Sequence, residues 1–164
     1  MCIFAMLGTV MFISKIVMEL LPNIHLLGTL TVVYTLVYRK RALIPIYVYV
    51  LLNGVYSGFS LWWMPYVYIW TLLWGAVMLL PSNMPKRAAI VVYPTVSMLH
   101  GLLFGLLYAP AQRLMFGLDF EQTLAWIASG FVFDVIHAIG NFALGFLVLP
   151  LANILKKLSN GKYA

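Results

Sequence analysis

The sequence predicts an all-α integral membrane protein, a compact bundle of six transmembrane helices with both termini on the cytoplasmic side. Three observations lead there. The chain is 64% hydrophobic and 9% charged, with a mean hydropathy of +1.00, whereas soluble domains are nearer half apolar and a quarter charged. One aqueous core built from 164 residues cannot bury that much apolar surface, so lipid is expected to solvate much of it. Apolar segments of bilayer-crossing length recur along the chain, and short basic clusters punctuate them. No linker or low-complexity stretch divides the chain, so residues 1–164 read as one domain.

A helix rises about 1.5 Å per residue and a bilayer core is about 30 Å thick, so about 20 residues cross it. Six segments fit: 2–21, 25–38, 42–60, 66–80, 88–108 and 123–149. The first has no basic leader and no clear small-residue cleavage site, so it is expected to remain as a helix and not to be removed as a signal peptide. "LPN" at 21–23 ends it, because proline cannot continue the backbone ladder. The second and fourth are short and are expected to borrow interfacial residues. "WWMPY" at 62–66 separates the third from the fourth, and "PSNMPKR" at 81–87 is a loop by composition. "APAQRLMFGLDFEQ" at 109–122 reads as the longest connection.

The basic residues fix the expected orientation. Arg39-Lys40-Arg41, Lys86-Arg87 and Lys156-Lys157 follow segments two, four and six. With an even number of crossings these clusters share one side, the cytoplasmic one by the positive-inside rule. Bases confined to such loops argue against a nucleic-acid partner. Cys2 is the single cysteine, which excludes an internal disulfide and a cysteine-based zinc site.

Polar residues inside apolar segments cost about 2.5–3.5 kcal/mol when charged and therefore need a partner. Asp134, His137 and Asn141 lie at i, i+3 and i+7 in "SGFVFDVIHAIGN", on one helix face. Gly130, Ala138, Gly140 and Gly145 permit close packing around them. The face is expected to look into the bundle, either as a hydrogen-bonded brace or as the wall of a ligand site. One acid and one imidazole make a poor metal site. His100 on the fifth segment reaches a similar depth and could meet Asp134, or serve as a satisfied structural histidine. Lys15 and Glu19 read as an i, i+4 ion pair, with Glu19 alternatively bordering an outer gate beside Asn23 and His25. Asn53, next to Gly54, suggests an interhelical hydrogen bond. "LWWMPYVYIW" at 61–70 reads as an interfacial belt whose Trp63, Tyr66 or Trp70 could also offer ring faces to a flat ligand.

Six apolar segments with both ends inside, "LPNI" in a short first outer loop, "GFSLWWMPYVYIW" at the third-to-fourth turn and "GFVFDVIHAIGNF" in the last helix together resemble the substrate-binding S components of energy-coupling factor transporters. The resemblance covers nearly the whole chain in layout. It implies a prokaryotic plasma-membrane protein that binds a vitamin or similar ring-bearing micronutrient in its outer half. It also implies delivery together with a transmembrane coupling subunit and two cytoplasmic ATPases. Carried onto this sequence, the pocket would comprise Asn23, His25, Trp63, Tyr66, Trp70, His100, Asp134, His137 and Asn141. The family's small-residue docking stripe is only partly matched, by Ala5, Gly8 and Thr9. No G-x-x-x-x-G-K-[ST] occurs, so the chain is expected to hold no cofactor of its own, and ATP would be used by the partner ATPases.

Two other functions compete with capture by binding alone. An intramembrane enzyme could use Asp134, His137 and His100 as an acid–base set, but neither paired carboxylates nor H-E-x-x-H occur. A self-sufficient small carrier would be expected to show internal repeats, and none is evident.

Overall fold

The computed structural model describes residues 2–21 and 23–159. Pro22, on which the first helix stop was placed, lies outside the described residues. Among these residues there is no strand and the chain is 83% helical. The elements are α1 (Cys2–Val17), α2 (Leu27–Tyr38), α3 (Leu43–Ser57), α4 (Tyr66–Met78), α5 (Lys86–Leu102), α6 (Phe104–Phe116), α7 (Phe120–Gly145) and α8 (Val148–Leu158). One-turn 3-10 helices at Arg39–Ala42 and Leu61–Trp63 lead into α3 and α4.

α2 is the axis of the bundle. Its sequence, LGTLTVVYTLVY, is uncharged on every face, and every residue except Leu36 is buried. A helix apolar all round has no solvent face to present and must be enclosed. α1, α4, α5, α7 and α8 all pack against it. α1 lies along α3, where a side chain at Gly8 would collide with Val48 and the Pro45 carbonyl. α5 lies along α7 through two similar approaches, Gly101 against Asn141 and Gly145 against Pro94. Aromatic tips tie the helices together through backbone carbonyls. Tyr34 donates to Leu7, Trp63 to Val50, Tyr68 to Leu107 and Trp74 to Arg39.

The largest departure from the expected segments is in the second half. The fifth segment does not end at 108. It continues to Phe116, with a one-residue interruption at Leu103, and most of the expected 109–122 loop is helix α6. Gly117, in the left-handed conformation, closes α6, with its amide donating to the Arg113 carbonyl. Asp119 then starts α7 at once, its carboxylate accepting from the Gln122 amide while the Gln122 side chain accepts from the Asp119 amide. This reciprocal capping box leaves no room for a long connection. The sixth segment also breaks, at Phe146–Leu147, before α8. Pro150 supplies the cause: it has no N–H for the Phe146 carbonyl four residues back, and its ring crowds that carbonyl. α1 and α3 end at Val17 and Ser57, short of the expected 21 and 60.

Two helices reach the length and apolarity that a membrane crossing needs, the run 86–116 and α7. α7 has the inverse of a soluble amphipathic helix. Its exposed face carries Phe131, Val132, Phe133, Ile139 and Phe142, and its buried face carries Asp134, His137 and Asn141.

Candidate functional site

The three polar residues of α7 point inward together, as their spacing requires, and then part company. Asp134 is committed to the backbone. Both of its carboxylate oxygens lie 3.1 Å from the Gly105 amide nitrogen. In an uninterrupted helix that amide would bond the carbonyl four residues back. The interruption at Leu103 makes Gly105 an early residue of α6, whose amides lack intrahelical partners. A carboxylate there satisfies a donor and meets the positive end of the helix. Gly105 has no side chain to obstruct the approach, since a Cβ there would strike Asp134 Oδ2.

Asn141 is likewise a brace on one side. Its Nδ2 donates to the Ser97 carbonyl at 3.1 Å, and it fills the space left by Gly28 on α2 and Gly101 on α5. Its Oδ1 has no partner within the protein.

His137 differs from both. It is 3% exposed, its Nε2 has no partner, and its ring lies in a group of rings drawn from six regions of the chain. His25, from the loop before α2, packs edge-on against His137 with ring centroids 4.8 Å apart. Phe104, the first residue of α6, lies 5.0 Å from His137. Trp70 of α4 is 1% exposed and sits 6.1 Å from His25, 5.6 Å from His100 and 6.2 Å from Phe104. Tyr66, one turn earlier on α4, and Tyr49 of α3 flank Trp70. All three histidines of the chain thus join one ring cluster, His25 and His100 against the Trp70 indole and His137 against His25 and Phe104.

The polar edges of these rings are underused. His100 Nε2 lies 3.2 Å from the Ile69 carbonyl, but its Nδ1 has no partner. His25 Nδ1, Trp70 Nε1, His137 Nε2 and Tyr49 Oη are buried and unpartnered as well. A buried group without a hydrogen bond costs about 1–3 kcal/mol, and such groups are few in most folds. Five on neighbouring rings make a locus that is apolar in bulk with unused polar edges, the usual composition of a small-molecule site.

The remaining expected residues fall elsewhere. Asn23 is exposed and takes a left-handed turn conformation, φ 57°, which asparagine tolerates well. Trp63 spends its indole N–H on Val50. His100 does not bond Asp134: its Nε2 meets the Ile69 carbonyl and its Nδ1 has no partner, while the Asp134 carboxylate turns to the Gly105 amide. Lys15 and Glu19 form the expected ion pair at 2.9 Å on an exposed surface. Asn53 is buried, but its Oδ1 finds no partner. Of the small residues on α1, Ala5 and Thr9 are exposed, while Gly8 is buried against α3. No group of three or more potential ligating side chains among the described residues is arranged to hold a metal ion.

Phe104 and Tyr49 join the ring cluster without having been singled out in the sequence. A signal existed for both: Phe104 follows His100 by four residues and Tyr49 precedes Asn53 by four, so each shares a helix face with a residue already suspected. No family model, curated protein or solved structure matches the chain.

Proposed function

We propose that the chain is the substrate-capture subunit of an ATP-driven importer of the energy-coupling factor type, residing in a prokaryotic plasma membrane. It would bind a small ring-bearing micronutrient among His25, Tyr66, Trp70, His100, Phe104 and His137. The observation that carries this reading is the set of unpartnered polar atoms on mutually contacting rings. A flat ligand with donors and acceptors on its edge satisfies both halves of that surface, its ring packing against Trp70 and its polar edge meeting the imidazoles. Capture here makes and breaks no bonds.

The six-crossing topology belongs to the same proposal. It rests on the apolar outer faces, on the wholly enclosed α2 and on the inverted α7. A helix with phenylalanines outside and an aspartate inside suits a lipid solvent and would be unstable in water. α2 spans only about 18 Å at 1.5 Å per residue, which fits a central element shielded from lipid by its neighbours. An acid–base reading of Asp134, His137 and His100 draws less support, because the Asp134 carboxylate is taken by Gly105 and neither imidazole bonds it.

The test is direct binding of a panel of vitamins and nucleobase precursors to purified protein. Vesicle uptake of any hit is then measured with and without the coupling subunit and its ATPases. The reading expects a ligand whose affinity falls at least about tenfold in His137→Phe, and uptake that requires ATP and the partner subunits. It fails if every hit binds His137→Phe as tightly as wild type, or if the chain alone supports uptake.

A further inference from the structure

A second polar region lies at the end of the bundle where the basic clusters meet. Arg39, Lys86 and Lys156, which come from the turn after α2, the start of α5 and the end of α8, line one cavity of about 290 Å³ together with Ser82, Tyr93 and Asn153. The three cations are far apart in sequence and have no acidic neighbour along the chain. Between Glu19 and Asp119, and again after Asp134, no acidic residue occurs. The Lys15–Glu19 ion pair involves none of them.

Arg39 is held there against its backbone preference, with φ 51° and ψ −120°. That is an unfavourable conformation for a long side chain. The Trp74 indole donates to its carbonyl, and its own amide caps α2 through the Thr35 carbonyl. α5 begins at the same cavity with no side chain capping its first turn, so its free amides and positive dipole end add to the cationic field.

The cavity does not stand alone. A groove of about 430 Å³ adjoins it, sharing Lys86, Ala89, Leu149 and Asn153, and continues along Ile90, Pro94 and Phe146 between α5, the end of α7 and α8. One end of the combined site is cationic and polar, and the other is apolar. A phosphate with a hydrocarbon tail complements both ends, whereas a free inorganic anion would use only the first.

We infer that this site holds an anionic phospholipid, its phosphate headgroup between Arg39, Lys86 and Lys156 and an acyl chain in the groove beside Ile90 and Phe146. The inference rests on the membrane reading above but not on the captured ligand. Bound at the junction of α2, α5 and α8, the lipid would clamp the basic ends of those helices together.

The experiment is native mass spectrometry of the whole chain in neutral detergent, titrated with phosphatidylglycerol, with phosphatidylcholine of the same chains, and with inorganic phosphate. Phosphatidylglycerol is expected to bind about tenfold or more tightly than phosphatidylcholine, as two or three surface cations acting on one phosphate imply. The double variant Lys86→Gln with Lys156→Gln, at two exposed positions, is expected to abolish that preference. Ile90→Trp, which fills the groove, is expected to weaken both lipids several-fold and leave their ratio intact. Equal binding of the two lipids, or undiminished preference in the double variant, overturns the inference. Displacement of the lipid by an equal concentration of inorganic phosphate would reveal a free-anion site and also overturn it. A second copy of the chain occupying the groove would appear as a dimer that phosphatidylglycerol fails to dissociate, with the same consequence. Binding of the ring ligand at His137 is expected to be unaffected by any of these variants, so the two readings fail separately.

Discussion

The ring cluster around Trp70 and the cavity around Arg39 are both polar regions of an apolar bundle, yet they are built in opposite ways. The first collects neutral groups in the interior and leaves their polar edges unpartnered. The second collects permanent charges at one end, with Lys86 and Lys156 exposed and Arg39 half-buried, its guanidinium donating to the Met78 carbonyl. The difference follows from solvation. A lysine or arginine held at the surface keeps most of its hydration and still projects a field, so it needs no fixed partner. An imidazole or indole enclosed by helices has given up water and must recover a hydrogen bond from something else. The first region therefore stores a demand for a specific partner, whereas the second exerts a general attraction for anions. Asp134 shows a third arrangement between them: an enclosed acid whose demand is met within the fold by Gly105.

Substitutions test that contrast, beginning with the largest expected effect. Trp70→Ala removes a buried indole at the centre of the cluster and should destabilise the protein by about 3–5 kcal/mol, read as thermal unfolding in detergent. A loss below about 1 kcal/mol would mean that the cluster is loosely packed and the comparison misplaced. Asp134→Leu should cost about 2 kcal/mol by stranding the Gly105 amide, while Asp134→Asn, which keeps an acceptor, should recover most of it. If both variants unfold alike, the carboxylate serves something other than α6.

His137→Phe should act in the reverse direction. It keeps the ring and removes an unpartnered atom, so the ligand-free protein should gain about 1 kcal/mol while ligand affinity falls at least about tenfold. This sign sharpens the distinction from Asn141→Leu, which should destabilise because it also removes a donor to Ser97. The smallest effect is expected at the basic end. Lys86→Gln with Lys156→Gln should shift stability by no more than about 0.5 kcal/mol, since the exposed cations have no packed partner to lose. A larger shift in lipid-free detergent would show that these side chains hold the helices together directly.

Much of this could be read from the chain and some could not. The all-helical class followed from composition and apolar periodicity, because these reflect the solvent a segment requires and not its neighbours. The inward turn of Asp134, His137 and Asn141 followed from their spacing alone. The α6 helix did not. Pro110, Gln112 and Arg113 look like loop residues in sequence, yet they continue a helix whose start is secured from a distance by Asp134. Asn23 and Trp63 stood out by residue type, and only the structure shows that Asn23 takes a left-handed turn conformation and that the Trp63 indole donates to the Val50 carbonyl.

The sequence by itself determined that the chain is helical, largely apolar, basic in three clusters and polar on one face of α7. Each of these is a property of residue type and local spacing. Only the tertiary structure decided that one polar residue of that face would cap a broken helix, the next would join a ring cluster that holds the two other histidines, and the third would fill the space above two glycines. Those roles depend on which backbone groups and ring edges arrive from elsewhere in the chain. A hydrogen bond is satisfied or left unsatisfied by the position of its partner, and no local pattern contains that position.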